Sequence, residues 1–516
     1  MPAVRGAWPW LVGGAALAIA NAWLISYDVN QWDESWTLQI VRRIAAGEAL
    51  YGDVWLGVTP LSIYALWGVV GIVGEQILVV KGLSALLATG SALLIARIAL
   101  QVGAKPFGAG VCVLVTLPLA PAFGLSLYTP LAVFFLLACE SLVLTTFPRR
   151  ALGWVAAAGF AAGLSFAAKQ NVGGLALLAA VVALLLAEPS RSGVRRALMA
   201  ASTFAAVAVA TVLAMTATGG PRTALDALGL AKGSYLRLGA VPYHDVLRAG
   251  LKPLTKAGAW RDLAAGRDRD LLLTTPKAIL PVATALLVTA AWIAWLRRPP
   301  GSRNLDPVLT TVTAFAAAGF ASAYPRYDPT HLAWAAGPLL VAFVAALVRV
   351  FPNPGRTVRI AVGGIAGAWA VFALLGPLGD WRSGDRVRVE LPHFAGAWTS
   401  RDQRDRAAAA VRRLTEELPE RRVFIAMGNA SFYYLAAGLE NPTRFDYPAS
   451  TSIGKRESDE IVRGVTDGTV PAVCLPEPSA SIDSRPLELE RRLRQVLRPG
   501  PDVGLCRLWL RAPRSG

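Results

Sequence analysis

Two acidic side chains stand next to each other, Asp33 and Glu34, in the stretch Gln31-Trp32-Asp33-Glu34-Ser35-Trp36 of a strongly basic chain of 516 residues with net charge +17. Such a pair can supply a general base or hold a cation. It equally suits a helix start, with Asp33 as N-cap and Glu34 in the first turn, where the helix dipole favours negative charge. Cations of complementary chemistry occur further on. Lys169 ends an apolar run and precedes Gln170 and Asn171; an ammonium there can pair with a phosphodiester or snorkel to an interface. Arg326, Tyr327, Asp328 and His331 lie between two later apolar runs. Arginine suits bidentate phosphate contact, and His331 can share that role or donate a hydrogen bond, although the same segment also reads as a solvated turn. His244 and His393 stand alone and are assigned nothing.

The elements that must position these groups are membrane helices. Hydrophobic residues make up 54% of the chain and charged residues only 16%, which excludes an ordinary soluble domain and reads as a polytopic helical membrane protein. Lys and Arg mostly flank apolar runs, so the positive charge points to membrane lipid and lipid phosphate as partners, and not to nucleic acid. The run Trp8 to Tyr27 is long enough to cross a hydrocarbon core, so Asp33 and Glu34 emerge at a membrane surface. It reads as an uncleaved anchor despite the Ala18-Ile19-Ala20 triplet. Trp36, Ile40 and Ile44 then recur at helical spacing, with Gln39, Arg42 and Arg43 on other faces, up to Gly47; this predicts an amphipathic helix lying along the interface. Leu61 to Val73 is too short for an upright span and is expected to be re-entrant or interfacial. Ten further spans follow, at Ile77–Ala96, Phe107–Leu119, Leu125–Thr146, Leu152–Ala168, Val172–Ala187, Leu198–Met215, Ala278–Trp295, Leu309–Ala323, Leu332–Leu347 and Ile360–Leu375. With the first, the chain is expected to have about 11 transmembrane helices.

If Leu61 to Val73 does not cross, the basic connections Arg97/Lys105, Arg149/Arg150, Arg191/Arg195/Arg196, Arg297/Arg298/Arg303 and Arg349/Arg356/Arg359 all share the side of Arg5, which the positive-inside rule makes cytoplasmic. The outer face then receives the loops 28–60, 217–276 and 324–331 and the polar tail. The loop 217–276, with Arg237, Arg248, Lys252, Lys256 and Arg261, reads as a surface pair of helices that can cover the site or meet an acceptor. Residues 1–378 are expected to form the transmembrane module and 379–516 a small extracytoplasmic α/β domain. Its predicted elements are a helix over Asp402–Leu418, strands at Val423–Met427, Val470–Leu475 and Val503–Leu510, and a helix over Leu487–Val496. Cys474 and Cys506 fall in this tail; the sequence favours free buried thiols and leaves their pairing open. No Cys/His spacing suggests a metal site.

Several residues in matching order resemble a known family. Trp32, Asp33 and Glu34, followed by Ile44, Gly47, Leu50, Tyr51 and Asp53 and then by Thr59, Pro60, Leu61 and Tyr64, are similar to the first outer loop of integral membrane glycosyltransferases of the GT-C fold. The likeness is to relatives of the protein O-mannosyltransferases and of the enzymes that add aminoarabinose to lipid A. Gly163, Leu164, Lys169 and Gln170 resemble a second motif of that family, and Pro325 to Asp328 with His331 and Leu332 its later outer loop. Tyr433, Tyr434, Gly438 and Asn441 to Arg444 resemble the extracytoplasmic tail of bacterial members. The resemblance implies a GT-C-like fold and a donor sugar carried on a polyprenyl phosphate. It further implies that Asp33 is the general base that deprotonates an acceptor hydroxyl and that Glu34 supports or orients Asp33. Lys169, Arg326 and His331 would bind the donor phosphate, with Gln170 and Tyr327 as substrate-binding side chains. Relatives often carry another acidic residue where this chain has Tyr128, Thr129, Pro130 and Leu131, so no metal and no other cofactor is predicted, though a divalent ion held by Asp33 and Glu34 remains an open alternative.

The expected function is therefore an inverting glycosyltransferase of a bacterial plasma membrane. It moves a hexosyl or pentosyl group from a polyprenyl-phosphate donor to a hydroxyl of a lipid, glycan or protein acceptor on the outer face, with the N-terminus cytoplasmic. The rival class is a transporter or flippase of lipid-linked sugars. Transporters commonly show paired halves with broken helices near the midplane, whereas here the charged groups gather at one face beside a polar tail. A relative that keeps the fold and has lost catalysis is the third reading, and Asp33 argues against it.

Overall fold

The computed structural model describes residues 3–149, 151–229, 240–255, 269–297, 305–353, 355–449, 452–476 and 485–511. Arg150, Arg237, Lys256, Arg261, Arg298 and Arg303 lie outside them. In chain order the helices of the apolar part are α1 (Ala3–Ser26), α2 (Asp33–Ala45), α3 (Leu61–Val73), α4 (Ile77–Gln101), α5 (Pro106–Thr116), α6 (Ala120–Phe123), α7 (Tyr128–Arg149), α8 (Leu152–Ala168), α9 (Gln170–Ala187), α10 (Arg191–Ala227), α11 (Tyr243–Thr255), α12 (Arg269–Leu296), α13 (Pro307–Ser322), α14 (Pro329–Val350) and α15 (Arg356–Arg382). Among the described residues, eight are long and apolar enough to cross a membrane: α4, the α5–α6 unit, α7, α9, α10, α12, α14 and α15. The remaining expected spans fall on the shorter apolar helices α1, α8 and α13, and Leu61–Val73 forms the 13-residue α3. Small residues let these helices approach closely. A side-chain carbon at Gly159 or Gly163 of α8 would collide with Ala200 and Thr203 or with Val207 of α10, so the two backbones touch, as membrane helices favour.

The tail forms an antiparallel ribbon of β1 (Arg386–Arg388) and β2 (Trp398–Ser400) and a four-stranded sheet of β3 (Phe424–Ile425), β4 (Ala472–Pro476), β5 (Arg498–Asp502) and β6 (Cys506–Leu510). The sheet order is β3-β4-β6-β5, with β3 parallel to β4 and the other pairs antiparallel. Helices α16 (Arg401–Glu417), α17 (Ala430–Ala437), α18 (Lys455–Asp467) and α19 (Leu487–Val496) complete it. The helix predicted at Asp402–Leu418 is present one residue earlier, that at Leu487–Val496 has the expected bounds, and the three strands are present but start later than expected. The edge strand β5 and the ribbon, both short and exposed in part, carry no alternation that would announce them.

Two expectations are corrected. The preference for free thiols in the tail fails, because Cys474 and Cys506 form a disulfide with Cα atoms 5.6 Å apart. Antiparallel pairing places Leu508 opposite Cys474 and Cys506 opposite Pro476, so the two cysteines are diagonal neighbours on one face. Helix α2 does not lie open along an interface. Residues Glu34 to Val41, together with Arg43, are buried in it, because the tail covers its polar side. Arg43 is the rivet: its Nη1 donates to Asp446 Oδ2 and to the Thr443 carbonyl, both at 2.9 Å, and its Nε bonds Glu48 at 2.9 and 3.0 Å. Asp446 also accepts from Asn441 Nδ2 at 2.9 Å, so the buried carboxylate is paired and hydrogen-bonded, which a charge so placed requires.

Candidate active site

Asp33 opens α2, with Trp32 in the cap position and making no side-chain cap bond. The alternative of Asp33 as N-cap is therefore replaced by a helix that begins at Asp33 itself. Among the described residues no group donates a hydrogen bond to its carboxylate, and the side chain is half-buried. Charges from three other places reach it. Burial is the largest influence and raises its pKa to about 7; Arg326 opposes, Glu34 adds to the rise, Lys169 opposes and Asp328 adds. A carboxyl held near neutrality is suited to taking up a proton at physiological pH.

Glu34 points elsewhere. Its Oε1 lies 2.8 Å and its Oε2 3.0 Å from the Lys81 ammonium on α4, and Oε2 also accepts the Asn30 backbone N–H at 3.0 Å. Lys81 is completed by the carbonyls of Ile25 at 3.1 Å and Asp28 at 2.6 Å. The pair is buried, with side-chain exposures of 3% and 1%. So of the two adjacent acids one is spent on the scaffold and one is left facing the site. The sequence signal for Lys81 is a single lysine inside an otherwise apolar run, since an intramembrane charge demands a partner.

Lys169 is the one extended residue between α8 and α9, with φ −155° and ψ 109°. The break turns its side chain inward instead of along a helix. Its Nζ donates to Thr129 Oγ1 at 3.0 Å and lies 5.5 and 5.7 Å from the ring centroids of Tyr128 and Trp334, a cation–π setting. Thus Thr129, in a stretch Tyr128-Thr129-Pro130-Leu131 without a carboxylate, holds the lysine. Asp328 caps α14 by accepting from Thr330 N at 3.0 Å and His331 N at 3.1 Å. Its other oxygen receives Arg326 Nε at 2.7 Å and His331 Nδ1 at 3.0 Å. A carboxylate only accepts, so Nδ1 carries the proton and Nε2 is left for another contact. Burial raises the Asp328 carboxyl, but the hydrogen bond and charge of His331 and the charge of Arg326 outweigh it and hold the pKa at about 2.

The other expected binders are differently placed. Gln170 donates from Nε2 to the Ala227 carbonyl at 2.8 Å, and its Oε1 is buried with no partner among the described residues. Tyr327 is half-buried, stacks on Phe320 at 4.9 Å and meets Tyr243 edge-on at 5.9 Å. Among the described residues no group of three or more His, Cys, Asp or Glu side chains gathers to hold a metal ion. Trp334 also lines a small apolar cavity of about 20 Å³ with Ala88, Ile95, Leu119, Phe123 and Val133.

No protein-family model and no curated protein matches the chain. Solved structures do. ArnT from Cupriavidus metallidurans bound to undecaprenyl phosphate is similar over 98% of this chain and 98% of its own, with a TM-score of 0.58 and 13% identity. The same protein in the apo state gives 0.50 and 15% over 99% and 100%. The archaeal oligosaccharyltransferase AglB from Archaeoglobus fulgidus, in complex with an inhibitory peptide and a dolichol-phosphate, gives 0.54 and 11% over 90% of this chain and 69% of its own. The chain is thus a multi-pass α-helical membrane protein, and its fold is the GT-C fold.

Proposed function

We propose that the protein is a glycosyltransferase that moves one sugar, hexosyl or pentosyl, from a polyprenyl-phosphate donor to an acceptor hydroxyl at the outer face of a bacterial plasma membrane. The observation that carries this reading is the separation of roles around Asp33: one carboxylate spent on no hydrogen bond among the described residues, faced by Lys169 and Arg326. Asp33 accepts the proton of the acceptor hydroxyl as its oxygen forms a bond to the anomeric carbon. The bond from that carbon to the phosphate oxygen breaks, and the departing polyprenyl phosphate carries away the electron pair. Lys169 and Arg326 stabilise the charge that grows on it, and His331 Nε2 is a further contact on the same side. A single displacement inverts the anomeric carbon.

Two observations support the rest. Structures of the same fold hold undecaprenyl phosphate or dolichol-phosphate, lipids of the class proposed for the donor. The tail disulfide fits an oxidising compartment, and so an extracytoplasmic tail and a cytoplasmic N-terminus. No metal is assigned a step, since two fixed cations face the phosphate.

The test is transfer by the purified protein from a panel of radiolabelled polyprenyl-phosphate sugars to extracted envelope lipids, glycans and proteins, beside Lys169→Met. The wild type transfers one sugar, and the variant loses donor affinity and rate together. Movement of labelled donor across vesicles with no transfer to any acceptor would contradict the reading in favour of a flippase.

A further inference from the structure

The aromatic side chains near Asp33 form a file. From the Lys169 ammonium the path runs to Tyr128 at 5.5 Å, from Tyr128 to Trp36 at 6.4 Å, from Trp36 to Tyr447 at 5.1 Å and from Tyr447 to Trp32 at 6.4 Å. Trp55 stacks on Trp36 at 6.4 Å as a branch. These rings come from the start of α7, from α2, from the loop after it and from the tail, so no single element accounts for their meeting. The file ends at the surface: Trp32 is 36% exposed, and Tyr447 is half-buried. An exposed indole adjacent in the chain to Asp33 offers an open aromatic face to a ligand.

The positions are also built. The Trp32 ring packs against Gly428 of the tail, where any side-chain carbon would run into it. Tyr447 follows Asp446, whose carboxylate is fixed by Arg43 and Asn441. In the middle of the file the indole N–H of Trp36 is buried without an acceptor among the described residues, a donor that costs stability unless something meets it.

We propose that the outer end of this file, Trp32 and Tyr447, is a saccharide-binding subsite, and that the acceptor is therefore a glycan; the placement rests on the transfer reaction proposed above. A sugar ring presents a face of C–H groups that packs on an indole or phenol, and hydroxyls at its edge. Trp32 offers such a face directly before Asp33 in the chain, so a saccharide held there brings one hydroxyl to the base. The donor phosphate occupies the Lys169 end, and the acceptor enters from the other. The tail then takes part in acceptor choice through Tyr447.

The experiment uses the full chain in a detergent without a sugar headgroup. Binding of a panel of neutral trisaccharides of glucose, galactose, mannose or arabinose is read by calorimetry, and binding of a polyprenyl phosphate is read on the same samples. One trisaccharide binds the wild type; Trp32→Gln and Tyr447→Leu weaken it by about tenfold or more, while Tyr447→Phe, which keeps the ring, stays within about twofold. Polyprenyl phosphate binding is unchanged in all three, which shows that they are folded. If the lipid phosphate binds but no trisaccharide does, or Trp32→Gln binds it as well as the wild type, the subsite is overturned and the transfer reading stands. If hydroxyl-bearing peptides bind through Trp32 instead, the glycan acceptor is likewise overturned. If a trisaccharide binds through Trp32 but no lipid phosphate binds, the subsite stands and the transfer reading falls.

Discussion

The ammonium of Lys81 lies 2.8 Å from the carboxylate of Glu34, buried where α4 passes the first turn of α2. That contact neutralises one member of an adjacent acidic pair and anchors the turn that carries the other. The Asp33 carboxylate itself accepts no hydrogen bond among the described residues.

Breaking this pair from one side should be costly. Lys81→Met leaves Glu34 buried without its cation and is expected to destabilise the protein by about 3–5 kcal/mol. The double variant Lys81→Met/Glu34→Gln should recover most of that loss. Thermal unfolding of the four proteins in detergent forms the cycle, and additive losses would show that the two side chains do not depend on each other.

The pH dependence of transfer follows from Asp33. Burial lifts its pKa to about 7 with Arg326 pulling it down, and the base works only when ionised. The rate should therefore rise with pH along an acid limb centred near 7. Arg326→Gln removes a lowering charge, so the limb should move to higher pH, apart from any loss in maximal rate. A pH–rate profile of both proteins decides it; an unmoved limb would detach Arg326 from Asp33.

Stability carries the opposite sign for the same residue. A carboxyl whose pKa is higher in the folded than in the unfolded state is costly to ionise in the fold, and this cost builds as pH rises from about 4 to about 7. Asp33→Asn should unfold at the same or a higher temperature than the wild type at pH 8. A marked fall would mean that the carboxylate has a structural duty.

The tail disulfide closes a separation of 32 residues, for which loop-closure entropy gives about 3–4 kcal/mol. Cys474→Ala/Cys506→Ala should lower the unfolding temperature of the tail. Because Tyr447 and Asp446 sit in that tail against α2, transfer should fall at temperatures where the apolar part is still folded.

The sequence announces the site where charge is out of place. Asp33, Lys169 and Arg326 interrupt or flank apolar runs, so their types and spacing are visible, and the structure brings their charges within reach of one another. Lys81 sits in a run that reads as an unbroken span, and nothing local shows that the partner through which Glu34 supports the turn of Asp33 lies 47 residues on. The burial of α2 was equally invisible: the amphipathic pattern is genuine, but its polar face meets the tail through Arg43 and Asp446, 403 residues apart, and not water. The cysteine pairing needed the β4–β6 register, a non-local fact. The contacts of Tyr327 with Phe320 and Tyr243 are likewise set by the fold and not by its motif.

The central claim is that Asp33 is the base of a sugar transfer, and the most direct measurement is the transfer rate of Asp33→Asn against the wild type with the best donor from the panel, polyprenyl phosphate binding being checked in both. Binding should persist while the rate drops by about 10²- to 10⁴-fold, the usual worth of a general base. Full transfer by a folded Asp33→Asn protein would contradict the account.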